Sequence, residues 1–361
     1  MRESETVLLP TLPNAPVQTK TQVQSLAPIR LRLNKTLQFL ENDAFNSSLI
    51  DYSEDYENSQ AHSTTFREHM LSVLSMLKAI LPRDSAIVEV GCGKGDFVEM
   101  IEVDGYFEIK GYDASYDGNK KSIEKRYLNS SDRINADLVV LRHVLEHVPN
   151  PYDFLSMLKT VFGKVKIYIE VPNYDWIVAN KTFFDITYEH VNYFSQHALK
   201  FLFEKETTLH GLLFDEQYQY VISELSSLNF EFKSHYESDD WNFISFGELF
   251  PSIEEDIQRF ENEAQDRSVY LWGAATKGCL FLAHCTNKNR LVDKVRFAID
   301  QNPQKIGKYL PGSQVEIRSK EDFFTTVKPG DLLLISNPAY RAEITAQISA
   351  RGLTDIAIHT L

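Results

Sequence analysis

The sequence predicts an α/β protein built from two units in series: a mainly parallel sheet wrapped on both faces, then a second, smaller α/β unit. Three observations carry this. Short apolar runs alternate with runs of helical periodicity from residue 66 onward. Three glycines, Gly91, Gly93 and Gly95, follow the first apolar run at once, where a strand must turn into a helix. The alternation restarts after an acidic stretch, "PSIEEDIQRFENEAQDR".

Each element follows in order. "MRESETVLLPTLPNAPVQTKTQ" lacks the apolar core of a signal peptide and reads as a mobile leader. Residues 66–81 place Met70, Leu71, Leu74, Leu77 and Leu81 at helical spacing. "AIVEV" is a strand, "DFVEMIEV" a helix, and "FEIKGYDAS" a strand ending at Asp113. "ADLVVLRHVLEHVPNP" is a strand, a loop and a helix start; "DFLSMLKTVF" is a helix; "VKIYIEVPN" is a strand that stops at Pro172. Ser195 is a candidate N-cap for a helix over "SQHALKFLFEK". "HGLLFDEQYQYVISEL" supplies an antiparallel pair to close the sheet edge. After the acidic connector come strand and glycine turn "SVYLWGAATKG", helix "CLFLAHC", and strands "KVRFAID" and "DLLLISN". The expected division is a leader and N-terminal region over 1–50, the first α/β domain over 51–232, a helical connector over 233–266, and an α/β domain over 267–361, too short for a full nucleotide-binding domain of its own.

Composition excludes several functions. The formal charge is −14, from 51 acidic against 37 basic residues, with the acids scattered. That argues against general binding to nucleic acid or to acidic membranes, which needs basic patches. No apolar stretch approaches the roughly 18 residues of a membrane span. The cysteines, Cys92, Cys279 and Cys285, form no C-x-x-C pair, so neither a disulfide framework nor a cysteine zinc site is expected. A reducing cytoplasm fits this usage. His143 and His147 stand one helical turn apart, which helix-start packing explains without a metal, so no metal is expected.

Ligands of open α/β sheets sit at the carboxyl ends of the strands, and glycines there let a ligand lie against bare backbone. An acidic residue closing the second strand can hold ribose hydroxyls, and Asp113 stands 18 residues after Gly95. The pattern Glu89, Gly91, Gly93, Gly95 is not the G-x-G-x-x-G of dinucleotide enzymes. It resembles the first motif of class I S-adenosylmethionine methyltransferases, E/D-x-G-x-G-x-G. The resemblance implies a Rossmann-like class I methyltransferase domain followed by a second, smaller Rossmann-like domain. It implies S-adenosylmethionine as cofactor, with Glu89, the three glycines and Asp113 binding it.

Further segments are similar to sugar C-methyltransferases and occur in the same order. They are "DYENSQAHSTTFREH", "VEVGCGKGDF", "ADLVVLRHVLEHVPNP", "IEVPNYDWI" and "YEHVNYFS", then "LWGAATKG", "AIDQNPQKIGKYLPGSQVEI" and "ISNPAY". Such enzymes add a methyl group to a carbon of a nucleotide-linked keto sugar. That implies a small-molecule partner of this class. Relatives open with a cysteine-based zinc module, whereas this chain has no cysteine before Cys92.

Carbon methylation needs a base for the carbon acid and donors for the developing oxyanion. "TYEHVNYF" is the densest candidate. His190 is the expected base, Glu189 its orienting partner, and Tyr188 or Tyr193 a donor to the acceptor. Arg142 and His143 follow a strand, where a loop passes the cofactor. Tyr56, Ser59 and His62 are a candidate lid, Tyr56 and Ser59 over the cofactor and His62 toward the acceptor. Asn173 ends a strand on the ligand side and is a candidate substrate contact. Two other functions fit the same motifs: O- or N-methylation of another small polar metabolite, and a non-catalytic cofactor-binding scaffold.

Overall fold

The computed structural model describes residues 7–22, 25–52, 56–205, 209–264, 266–286 and 291–361. The chain opens with β1 (Val7–Pro10) paired antiparallel to β2 (Leu26–Ile29), then the hairpin of β3 (Leu31–Asn34) and β4 (Phe39–Asn42). The segment read as a mobile leader is therefore folded over residues 7–22. Leu9 is fully buried, and Val17 exchanges two backbone hydrogen bonds with Tyr309 of the second domain. Too few apolar residues stood together there to announce a strand; a partner far along the chain supplies the burial.

The first domain follows as α1 (Thr64–Ile80), β5 (Ala86–Val90), α2 (Asp96–Asp104), β6 (Glu108–Tyr112), β7 (Ile123–Glu124), β8 (Leu138–Arg142), α3 (Pro151–Phe162) and β9 (Lys166–Pro172). Next come α4 (Tyr174–Ala179), β10 (Asn192–Phe194), α5 (Gln196–Phe201), β11 (Leu209–Leu213) and β12 (Tyr218–Glu224). Ser63 caps α1 by accepting from the Phe66 N–H, and the helix buries Phe66, His69, Met70, Val73, Leu74 and Leu77. Leu71, expected on that stripe, is half exposed because it falls on the opposite face. The sheet order is β11-β12-β9-β8-β5-β6-β7, with β5 to β9 mutually parallel and β12 and β11 forming the expected antiparallel edge. Its inner strands β8 and β9 are buried on both faces, as their unbroken apolar runs require.

The connector is not all helix. It comprises α6 (Phe230–Tyr236), β13 (Trp241–Ile244), α7 (Phe246–Leu249) and α8 (Ile253–Glu263). Strand β13 completes a sheet in the order β10-β4-β3-β13, which ties the N-terminal region to the segment carrying His190. The second domain then runs β14 (Val269–Trp272), α9 (Thr276–Thr286), α10 (Leu291–Lys294), β15 (Val295–Ile299), β16 (Ile317–Arg318), α11 (Lys320–Thr326), β17 (Leu332–Ile335), α12 (Arg341–Ala350) and β18 (Ala357–Thr360). Its strands form a parallel sheet in the order β16-β15-β14-β17-β18. The strand order reverses at β14, which places a switch point beside the "GAATKG" turn.

The two domains share an apolar core. Phe183 and Phe184 of the first pack on Phe281 of α9, with ring centroids 6.2 and 6.0 Å apart. All three are buried, each contributing about 1.5–3 kcal/mol on removal from water. This contact turns the carboxyl ends of both parallel sheets toward one cavity.

Candidate active site

The cavity, about 320 Å³, is bordered by the turns after β5, β8 and β9 on one side and after β14, β15 and β17 on the other. The three glycines of the first turn have positive φ values of 75°, 54° and 83°, which only glycine holds without strain. They differ in what they face. A Cβ on Gly91 would stand 2.4 Å from Val144 Cγ2, and one on Gly95 2.5 Å from Ile123 Cδ1, so both are required by packing. A Cβ on Gly93 would meet the Asn58 side chain at 3.4 Å, on the cavity side. Asp113 follows β6 as expected, but its carboxylate accepts from the Gly93 N–H (2.8 Å) and from Ser115, and it does not border the cavity. It therefore shapes the turn itself.

Glu89 borders the cavity, is 3% exposed, and its Oε2 accepts no hydrogen bond. Burial pushes its carboxyl up to about 7, against the pull of the Arg142 guanidinium. Arg142 lies over the Phe97 ring at 4.6 Å, and its Nε and Nη2 also lack hydrogen-bond partners. Behind it, Glu170 is fully buried and gathers His69 (2.9 Å) and the Tyr168 hydroxyl, with Arg142 Nη2 at 3.6 Å and His143 Nε2 at 3.1 Å. Burial alone would raise the Glu170 carboxyl. The Arg142 charge, the His143 ring beside it and the hydrogen bond with His69 outweigh it and hold the group well below the usual carboxylate range. His143 has φ +54° and is drawn up to about 9, because Glu146 and Glu170 outweigh its desolvation.

On the acceptor side, His190 borders the cavity, and no hydrogen bond to its ring is present among the described residues. Burial, with the positive fields of His143 and Lys277 in support, holds it well below the usual histidine range, so the ring is neutral. Glu189 is not its partner. Its Oε2 accepts from the Tyr56 hydroxyl at 2.9 Å, and its carbonyl lies 3.0 Å from His147 Nδ1. Burial raises its carboxyl.

Tyr188 and Tyr193 do not border the cavity, contrary to expectation. The Tyr188 hydroxyl accepts from the Asn46 N–H and donates to the Ala44 carbonyl. The Tyr193 hydroxyl closes on the Thr187 N–H and carbonyl, both at 2.9 Å. Each ring is buried, and its hydroxyl satisfies backbone groups that burial would leave unpaired. Asn173 is likewise structural. It caps α4 by accepting from the Asp175 N–H and donates to the Glu216 carbonyl. Tyr56, Ser59 and His62 do border the cavity, Ser59 donating to Asp96 at 2.7 Å.

The second domain contributes the "GAATKG" glycine turn read from the sequence, together with two lysines that the sequence did not single out. Gly273, at φ +109°, comes so close to Ser336 that a Cβ would stand 2.0 Å from its Oγ. Lys277 at the start of α9 pairs with Asp185 at 2.5 and 2.6 Å and lies over Trp176. Lys305 is 3% exposed and reaches the Ala274 carbonyl (3.2 Å) and Asn14 Oδ1 (3.4 Å). Asn14, from the supposed leader, donates to Thr276 Oγ1 at 2.8 Å.

A parallel sheet closed by an antiparallel edge, with a glycine turn after its first strand, is the arrangement of a class I methyltransferase domain. Residues 62–206 match the model of a methyltransferase domain, and residues 234–354 match that of the C-methyltransferase C-terminal domain. The first α/β unit thus matches a methyltransferase domain and the second the C-methyltransferase C-terminal domain. The C-methyltransferase NovU of Streptomyces niveus is 27% identical over 225 residues, 56% of this chain and 52% of that protein. The chain therefore spans about half the length of that relative. Among solved structures, an S-adenosylmethionine-dependent methyltransferase from Aquifex aeolicus aligns at 14% identity and TM-score 0.33, covering 46% of this chain and 95% of that one. A methyltransferase of Haloferax volcanii, in complex with the activator Trm112, aligns at 9% and 0.37, covering 45% and 92%.

The cofactor is S-adenosylmethionine, and the residues present fit it. Glu89 Oε2 lacks a hydrogen-bond partner and suits an ammonium group, Arg142 Nε lacks one and suits a carboxylate, and Gly93 presents bare backbone at the cavity.

Proposed function

We propose that this protein methylates a carbon of a nucleotide-linked keto sugar, with His190 as the base. Glu89, Arg142 and Gly93 hold the amino-acid part of the cofactor, and Tyr56 and Ser59 cover it. The cofactor, when bound, supplies an electrophilic methyl group. His190 accepts the proton of the carbon next to the acceptor carbonyl, and the carbanion character left on that carbon makes it the nucleophile. The hydrogen-bonded Tyr56 and Glu189 fix the wall beside the ring.

The observation that carries the reading is the neutral, hydrogen-bond-free His190 ring at a cavity shared by the two domains. The field of Lys277 helps to keep that ring unprotonated. An acceptor whose phosphates lie along Lys277, Lys305 and the "GAATKG" turn would offset that field. Its arrival would make His190 a stronger base as the reaction begins. The C-methyltransferase C-terminal domain and the name of the Streptomyces niveus relative support carbon as the acceptor atom.

His190→Asn tests this. Turnover is expected to fall by about 10²–10⁴-fold with little change in S-adenosylhomocysteine affinity. In heavy water, the wild type should exchange a carbon-bound proton of the keto sugar without methyl donor, and the variant should not. Methyl transfer without exchange under any condition would make the enzyme an O- or N-methyltransferase. Full activity in His190→Asn would remove the base.

A further inference from the structure

We propose that Glu146, His147 and His190 form a binding site for a transition-metal dication of the Zn²⁺ type, and that filling it silences the base. The site stands on geometry alone; the silencing rests on His190 acting as proposed above.

One donor atom from each of the three side chains lies within 4.8 Å of the others. All three residues border the cavity. Glu146 is 1% exposed, yet neither of its carboxylate oxygens accepts a hydrogen bond. Its nearest cation is His143, whose Nδ1 stands 3.5 Å from Oε1. A buried carboxylate left with this little is costly, and a dication at the cavity edge would satisfy it.

The histidines are arranged to complement it. His147 Nδ1 is 3.0 Å from the Glu189 carbonyl and 3.2 Å from the Tyr52 hydroxyl; with the Nδ1 proton given to the carbonyl, Nε2 keeps its lone pair. A backbone carbonyl fixing the far nitrogen in this way is how ligating histidines are commonly oriented. The His147 and His190 rings meet edge to face with centroids 4.7 Å apart. Bonds of about 2.0–2.2 Å in a tetrahedral site put donors roughly 3.4 Å apart, so donors within 4.8 Å of one another need to close by at most about 1.4 Å. Two imidazoles and one carboxylate select Zn²⁺, Co²⁺ or Ni²⁺ over Mg²⁺ and Ca²⁺, which take oxygen ligands. The fourth position would face the cavity.

Coordination involves no redox change and transfers no group. It occupies the imidazole lone pair of His190, which can then accept no proton. The cofactor residues Glu89 and Gly93 are not ligands, so cofactor binding should be untouched. Local spacing could not have shown the site, because His190 comes from a different loop than the Glu146–His147 turn.

The test is titration of the purified full chain with Co²⁺, read by visible absorption, alongside Zn²⁺ titration of turnover. One Co²⁺ per chain should give a visible band that Zn²⁺ displaces. Zn²⁺ should lower turnover, a chelator should restore it, and S-adenosylhomocysteine affinity should stay constant. Glu146→Gln and, independently, His147→Gln should weaken Co²⁺ binding by more than the roughly 10–100-fold that loss of a supporting contact costs a metal site. Retained S-adenosylhomocysteine binding certifies that each variant is folded. No Co²⁺ band with no stoichiometric Zn²⁺ binding would overturn the site, as would undiminished binding in both folded variants. Stoichiometric Co²⁺ with unchanged or raised turnover would overturn the silencing, and the base role of His190 with it. A His190→Asn variant that loses turnover, in a protein that binds no metal, would leave the base standing and remove the metal site.

Discussion

Glu89 should make cofactor affinity depend on pH in a way that Glu89→Gln abolishes. In the free protein its carboxyl is buried, Oε2 has no hydrogen-bond partner, and burial raises it to about 7. If the carboxylate receives the cofactor's ammonium, the complex favours the ionised form. Below pH 7 the free protein holds the proton and must release it on binding, so affinity falls as pH falls. Each pH unit below a value of about 7 then costs about tenfold, or 1.36 kcal/mol. Between pH 8 and pH 5 the affinity should drop about 100-fold, provided the group in the complex stays ionised at pH 5. Above pH 8 no further gain is expected from this group.

The substitution removes both the proton and the charge. A hydrogen bond to a charged group contributes about 1.5–3 kcal/mol, so Glu89→Gln should weaken binding roughly 10–150-fold at pH 8. At pH 5 the two proteins should differ little. Calorimetry with S-adenosylhomocysteine across this range, in two buffers of different ionisation enthalpy, gives both the affinity and the protons released. The difference between wild type and variant isolates Glu89 from every other titrating group. Parallel pH profiles for the two proteins would refute the assignment of Glu89 to the ammonium.

Three further outcomes are expected. Gly93→Val should lower S-adenosylhomocysteine affinity more than tenfold with a modest fall in Tm, since a left-handed residue costs about 1–2 kcal/mol. Gly91→Ala, whose Cβ would strike Val144, should instead lower Tm sharply, and the reverse ranking would reassign the two glycines. Tyr193→Phe should destabilise by about 1–3 kcal/mol in denaturant titration, because it strips the Thr187 N–H and carbonyl of their shared partner. The acceptor KM should hold; a large rise would return Tyr193 to the substrate. His143 is raised above its unfolded value, so its stabilisation is fully present below about pH 6.5 and is lost as pH rises through about 9. The wild type should lose up to about 3 kcal/mol over that window relative to His143→Asn, which tolerates the positive φ; coincident profiles would contradict the ion pairs.

The first sheet was legible because its signals are local. The glycine turn, the unbroken runs of β8 and β9, and the Ser63 and Ser195 caps each depend on a few neighbouring residues. The site was legible only in part. "TYEHVNYF" holds two cavity residues, Glu189 and His190, between two tyrosines whose hydroxyls bind backbone. Nothing in an irregular loop fixes which side chain faces which way, since neither the helical nor the strand period applies there. Asn173 illustrates a second limit: the residue ending a strand on the ligand side is also the one that must cap the next helix. Asn14 and Lys305 illustrate a third. Their places at the cavity are set by contacts hundreds of residues apart, for which composition and spacing carry no signal.

The closure between the domains is polar at the cavity rim and apolar behind it, and the difference matters for turnover. At the rim, Glu343 near the start of α12 accepts from Ser63 Oγ, Thr65 N–H and Thr65 Oγ1, so one carboxylate of the second domain holds the first turn of α1. Tyr340 donates to Gln60, Gln217 to Asn337, and Asn302 to Glu57, each across the same seam. Such bonds exchange readily for water, at a net cost near 1 kcal/mol apiece. The buried contact of Phe183 and Phe184 with Phe281 has no such substitute. If the cavity opens, the polar contacts are therefore expected to part before the apolar one. The candidate lid residues Ser59 and His62 lie between Glu57 and Ser63, which both bond across the seam, and Tyr56 stands immediately before them. This one stretch of chain thus carries both cavity-lining residues and contacts to the second domain, and Asn14 of the N-terminal region adds another across the same seam.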